Sequence, residues 1–253
     1  WKQKMTAAKI IGSAFRYIFA DFGQTIRIIA LPTLLLAVIG GLLAGILTSR
    51  PALHPGLVVI PFGLAAALCA LWPTVNFHRH ALTGERFGWA PRIHWRAVLS
   101  YGLMMIPLGL VVLLASYAIL FVIGLFLSSM PQTDPLVAVL LASLVLSTLT
   151  MTVGLRLFSL LPGLAIGETL RGYSRAGQGS LATILLIALA LGLVGSGYGI
   201  LQIALAPHLF WGLTLGPLVA LYAMQLLVNL LSTIFGISLL TALYATYVQR
   251  PAA

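Results

Sequence analysis

The sequence has almost no acid: four Asp and Glu stand against 14 Lys and Arg in 253 residues. Charged residues of both signs make up 7% of the chain, where a soluble domain carries about 25%. So little charge cannot cover a water-soluble globule of this size, which excludes an ordinary soluble domain and makes lipid the covering medium. The four acids, Asp21, Glu85, Asp134 and Glu168, all lie outside the deep parts of the apolar runs. An ion-coupled transporter usually holds a carboxylate inside the membrane, and the lack of one counts against that class.

Other chemistry is missing too. Cys69 is the only cysteine, so an intramolecular disulfide is excluded, and its apolar surroundings make it a small apolar side chain. There is no G-x-S-x-G, no H-E-x-x-H and no Walker loop. The run GLVGSGYG, with Gly195, Ser196 and Gly197, sits inside an apolar stretch with no preceding strand and no following Lys. It reads as helix packing, with Gly195 and Gly199 four apart, and Gly41 and Gly45 read the same way.

The five histidines, His54, His78, His80, His94 and His208, avoid the middle of every apolar run. His78 and His80 are two apart and fall on different faces of a helix. No metal, haem or other cofactor is expected, and the absence of a catalytic set points to a non-enzymatic protein. His78, Arg79 and His80 read instead as a cap on a helix C-terminus, facing its negative dipole end and the lipid headgroups.

What is abundant is apolar sequence. Hydrophobic residues make up 60% of the chain, and its mean hydropathy is +1.08. A spanning helix needs about 20 mostly apolar residues. Six candidates meet that length: roughly Thr25–Leu47, Gly56–Phe77, Val98–Leu127, Pro135–Leu161, Leu181–Leu205 and Leu215–Tyr247. The expected fold class is an all-α, polytopic membrane bundle, one domain over residues 1–253. Residues 1–22 form an amphipathic interfacial segment, with Ile10, Ala14, Tyr17 and Ile18 at helical spacing. That segment lacks the apolar core and cleavage site of a signal peptide, so the whole chain is read as mature protein, although it opens on Trp1.

The basic residues orient the spans. Lys2, Lys4, Lys9 and Arg16 precede the first, and only Arg50 follows it. Arg79, Arg86, Arg92 and Arg96 fall between the second and third, and Arg171 and Arg175 between the fourth and fifth. The turns after the third and fifth spans carry none, and Arg250 lies in the tail. This alternation places both termini in the cytoplasm, with the chain multi-pass in a bacterial inner membrane. The net charge of +10 is then a lipid-facing feature and no nucleic-acid partner is expected.

The spans also group as three hairpins, each preceded by a basic or amphipathic elbow. Gly84-Glu85-Arg86 after the second span is echoed by Gly167-Glu168 and Arg171 after the fourth, about a third of the chain later. A threefold repeat of elbow plus hairpin is one reading. The other is that any helix leaving a membrane ends on a glycine and a charge.

Several residues stand out as candidates. Arg79, Arg86, Arg92, Trp95, Arg96, Arg171 and Arg175 gather at the elbows, where anionic phospholipid headgroups or partner subunits would meet them. Arg156 lies about six residues before Pro162 and inside the fourth run. It either snorkels to the boundary or pairs with Glu85, Glu168 or a lipid phosphate. Gln225, Asn229 and Ser232 repeat on one face of the last span, with Gln202 on the fifth. Such a stripe either lines a path or bonds a neighbouring helix. Trp72, Trp89, Trp95 and Trp211 sit near span ends as an aromatic belt, and Phe87–Trp95 reads as a surface element.

The segments FRYIFADFGQTIRIIALP, VNFHRHALTGE and RLFSLLPGLAIGETLRG resemble a group of bacterial six-helix inner-membrane proteins, including the membrane domain fused to glycerophosphodiester phosphodiesterases. The resemblance implies a six-helix membrane domain. It implies no activity, since the phosphodiesterase barrel and its metal-binding acids are not in these residues. The sequence therefore leads to a scaffold or accessory subunit that packs against other membrane proteins, copies of itself or lipids. The alternative is a transporter or channel for a small solute or lipid.

Overall fold

The computed structural model describes residues 6–49, 55–129, 135–168, 180–210 and 215–249; residues 47, 48, 55, 57, 135, 136, 200–210, 215–223, 226 and 249 are described by backbone alone. Among the described residues there is no strand. The elements are α1 (Ala7–Phe19), α2 (Phe22–Ser49), α3 (Pro55–Thr83), α4 (Trp95–Ser128), α5 (Pro135–Phe158), α6 (Leu161–Ala165), α7 (Leu181–Phe210) and α8 (Leu215–Tyr244), followed by a π-turn over Ala245–Gln249. Among the described residues six helices are long and apolar enough to cross a membrane. The protein is a multi-pass, all-α membrane bundle.

The first, second, third and fifth spans exceed their sequence estimates by a few residues, because the flanks continue the helical hydrogen bonding. At 34 residues α4 is about 50 Å long, well beyond the roughly 30 Å hydrocarbon layer. Pro32, Pro61, Pro73 and Pro107 lie inside helices, which packing against neighbouring helices makes tolerable in lipid. The fourth span differs from the expected Pro135–Leu161. It stops at Phe158, turns at Ser159 and Leu160, and restarts as the short α6 with Pro162 in its first turn. Proline lacks the N–H that a continuing helix needs, and it is well placed at a helix start.

One end of the bundle carries α1, the 84–94 connection and α6; here it is called the elbow end. The other, where α2 and α4 finish and α3 and α5 begin, is called the tip end. Three helix pairs pack along their lengths: α2 with α3, α4 with α5, and α5 with α7. α1 lies on α8, burying Ile10, Ala14 and Ile18, and the Ser238 hydroxyl donates to the Ala14 carbonyl at 2.6 Å. The amphipathic period of residues 7–19 thus serves helix-on-helix packing. The face turned outward carries Phe15, Phe19 and Phe22 in a stacked row, with Lys9 and Arg16 also exposed.

The burial pattern is lopsided. Among the described side chains, none of α4 beyond Leu108 and none of α2 beyond Pro32 is buried, and before Trp72 only Val58 of α3 is. Among the described side chains, the buried ones of α5, α7, α8 and their flanking turns likewise fall at Thr148 to Ser159, Ile184 to Gly192 and Ile234 to Val248.

Two packing expectations fail. Close approach does not occur at Gly41 or Gly195, where an added β-carbon meets nothing within 4 Å. It occurs at Gly192, whose β-carbon would sit 3.0 Å from Thr148 Oγ1 and 3.1 Å from Ser147 Oγ, and at Gly163 under the Tyr244 ring. Spacing marks small residues on one face but not whether a neighbour lies opposite. Trp72 is also not part of a surface belt: it is buried, and its indole N–H donates to the Arg92 carbonyl at 3.3 Å.

Candidate functional site

The elbow end concentrates the polar chemistry. Helix α3 ends at Gly84, with φ of 73°, and α6 ends at Gly167, with φ of 83°. Left-handed backbone is open to glycine at little cost. The Gly84 N–H bonds the His80 carbonyl at 3.0 Å. At the second exit, Glu168 N–H bonds the Gly163 carbonyl at 2.9 Å and Gly167 N–H the Leu164 carbonyl at 3.2 Å, the paired bonds of a Schellman cap. The two Gly-Glu pairs noticed in the sequence are therefore the same device, a left-handed glycine that ends a helix and presents a carboxylate.

Those carboxylates hold the elbows. Glu85 accepts from Arg79 Nε at 2.6 Å and lies 3.3 Å from His94 Nε2. Arg79 also donates from Nη1 to the Ala165 carbonyl at 3.1 Å. One guanidinium thus joins the exit of α3 to the end of α6. Glu168 accepts the Tyr244 hydroxyl. Among the described residues no ion pair joins Arg156 to Glu85 or Glu168: Glu85 is held by Arg79 and Glu168 by Tyr244, and Arg156 is exposed on the last turn of α5. The break in the helix at Ser159 turns the chain toward Tyr244 and carries Glu168 there.

Around this clip the 84–94 segment folds inward. Phe87 is buried against Ile18, Ile28, Phe77 and Ile234, and its N–H donates to Gln24 Oε1 at 2.9 Å. Asn76 Nδ2 donates to the Arg92 carbonyl at 3.1 Å. Only part of Phe87–Trp95 matches the expected surface element. Trp89, Ile93 and Trp95 are exposed, and Arg27 sits 5.7 Å from the Trp89 ring centroid. Arg86, Arg92 and Arg96 are exposed, whereas Arg171 and Arg175 lie outside the described residues.

His78 is the largest departure. It does not face headgroups; it is 0% exposed. Its Nδ1 lies 2.8 Å from Thr241 Oγ1 and its Nε2 3.1 Å from Tyr101 Oη. The Thr241 hydroxyl proton is given to the Ile237 carbonyl at 2.9 Å, so Nδ1–H is the donor to Thr241 and Nε2 accepts from Tyr101. A neutral imidazole satisfies this chain completely, which is what burial requires of a polar group. It ties α3, α4 and α8 together. The sequence signal lay in Ser238 and Thr241, three apart on an apolar helix, but their partner is far away in the chain.

No family model matches the chain, and no curated protein or solved structure matches it significantly.

Beside the clip lies a groove of about 440 Å³, lined by Arg79, His94, Trp95, Arg96, Leu164 and Gly167 among others. The polar stripe of α8 is elsewhere. Gln225 accepts from the Tyr198 hydroxyl at 2.5 Å, while Asn229 and Ser232 are exposed on the outside of the bundle. The Gln202 side chain lies outside the described residues. Among the described residues no cluster of three or more His, Cys, Asp or Glu forms.

Proposed function

We propose that this protein is a non-enzymatic membrane subunit that assembles with another membrane-embedded helix through the outer face of α8. Its elbow end faces the cytoplasm of a bacterial inner membrane. The observation that carries the reading is the exposure of Asn229 and Ser232 within a membrane-spanning helix. An amide turned to hydrocarbon forgoes its hydrogen bonds. A neighbouring helix would supply them, and this is the common use of such residues in membranes. The orientation is supported by the basic elbows Arg79, Arg86, Arg92 and Arg96.

The transporter alternative would need the stripe to line a path. Gln225 is instead held by Tyr198, and its two neighbours look outward. Extraction into lipid nanodiscs without harsh detergent tests the proposal. The protein should run as an assembly larger than one chain, and Asn229→Leu with Ser232→Leu should shift it toward the monomer. A monomer for the unsubstituted protein at every lipid-to-protein ratio would refute assembly.

A further inference from the structure

We propose that the groove beside the first turn of α4 binds the phosphate group of an anionic membrane lipid, with an acyl chain running along α4. The groove's volume of about 440 Å³ lies within the range of small-ligand sites. Arg79 and Arg96 are among its lining residues, and its walls are largely apolar. Arg79 is already fixed by Glu85 and the Ala165 carbonyl through Nε and Nη1, and these two bonds leave its Nη2 donors over. Holding the group in place beforehand lowers the ordering cost of binding. Arg96 is exposed and makes no hydrogen bond or ion pair among the described residues.

The counter-charges nearby are accounted for: Glu85 is shared by Arg79 and His94, and Glu168 takes the Tyr244 hydroxyl. A guanidinium pair of this kind favours phosphate, whose oxygens match its fork of donors. The side chain of His94, the residue capping α4, makes no capping bond, so the positive end of the helix adds to the field.

A lipid rather than a free phosphate follows from what adjoins the groove. Trp95, exposed beside Arg96, is a residue type that sits at headgroup depth. Leu99, Leu103 and Ile106 continue up α4 from Arg96 at helical spacing, and all three are exposed. They form an apolar track that starts at the guanidinium and runs toward the membrane interior.

The test is native mass spectrometry of the full chain in mild detergent, titrated with phosphatidylglycerol, phosphatidylcholine or sodium phosphate. One phosphatidylglycerol should bind ahead of the rest, and phosphatidylcholine should not. Arg96→Gln should weaken that binding about tenfold or more, as expected for the loss of a charge-assisted contact. Arg86→Gln, exposed outside the groove, should leave it unchanged, and unfolding curves should show both variants folded. Equal binding of the two lipids, or an unchanged affinity in Arg96→Gln, would overturn the proposal. Displacement of the lipid by millimolar phosphate would overturn the lipid as its source.

Discussion

The elbow half and the tip half of this bundle are built from the same apolar residues but held differently. In the elbow half, groups from five elements meet: Gln24 of α2, His78 and Arg79 of α3, Tyr101 of α4, the Ala165 carbonyl of α6 and Thr241 of α8 are joined by hydrogen bonds, directly or through the 84–94 segment. In the tip half, Leu64, Leu110, Phe121 and Val194 are exposed, and contact is pairwise between helices. In lipid an exposed leucine costs nothing, because the chains around it are as apolar as it is. A buried polar group without partners costs about 1–3 kcal/mol. The position of the helices is therefore specified by polar bonds at one end, and apolar surface at the other end is left for lipid or partners.

The comparison is broken most sharply at His78. His78→Ala opens a cavity and strands Tyr101 and Thr241, and should destabilise the protein by about 2–4 kcal/mol, read from unfolding in mixed micelles. Phe121→Ala on the tip half of α4 should change the same curve by less than about 0.5 kcal/mol. Equal losses would erase the distinction between the halves. Arg79→Ala comes next, at about 2 kcal/mol, because it frees both Glu85 and the Ala165 carbonyl. Arg79→Lys should recover only part of this, since an ammonium group cannot reproduce the guanidinium fork.

Gly163→Ala would push a β-carbon to 2.9 Å from the Tyr244 hydroxyl. A loss of about 1–3 kcal/mol is expected, together with weakened anchoring of Glu168. Gly84→Ala and Gly167→Ala, each at a positive φ, should cost about 1–2 kcal/mol each. Gly195→Ala, where a β-carbon meets open space, should be close to neutral, which sharpens the contrast on a single residue type.

The six spans were legible because span length is a local property of the sequence, set by bilayer thickness. The face of α1 was legible for the same reason, from the period of Ile10, Ala14 and Ile18; that it rests on α8 was not. Gly84-Glu85 and Gly167-Glu168 were visible as an echo, but their function depends on φ and on partners such as Tyr244, 76 residues from Glu168. His78 looked like a surface cap because its neighbours Arg79 and His80 are charged or polar, whereas its partner Thr241 is 163 residues distant. The stripe Gln225, Asn229 and Ser232 was legible as one face of a helix. Periodicity cannot say whether such a face turns inward or outward, and that direction separates a transport path from a contact surface.

That direction is also the most direct test of the account. A photo-crosslinking amino acid placed at Ser232, and for comparison at Leu113 on the exposed face of α4, would be activated in intact membranes. The account predicts a protein adduct at position 232 and lipid adducts at position 113. Lipid adducts alone at both positions would contradict it.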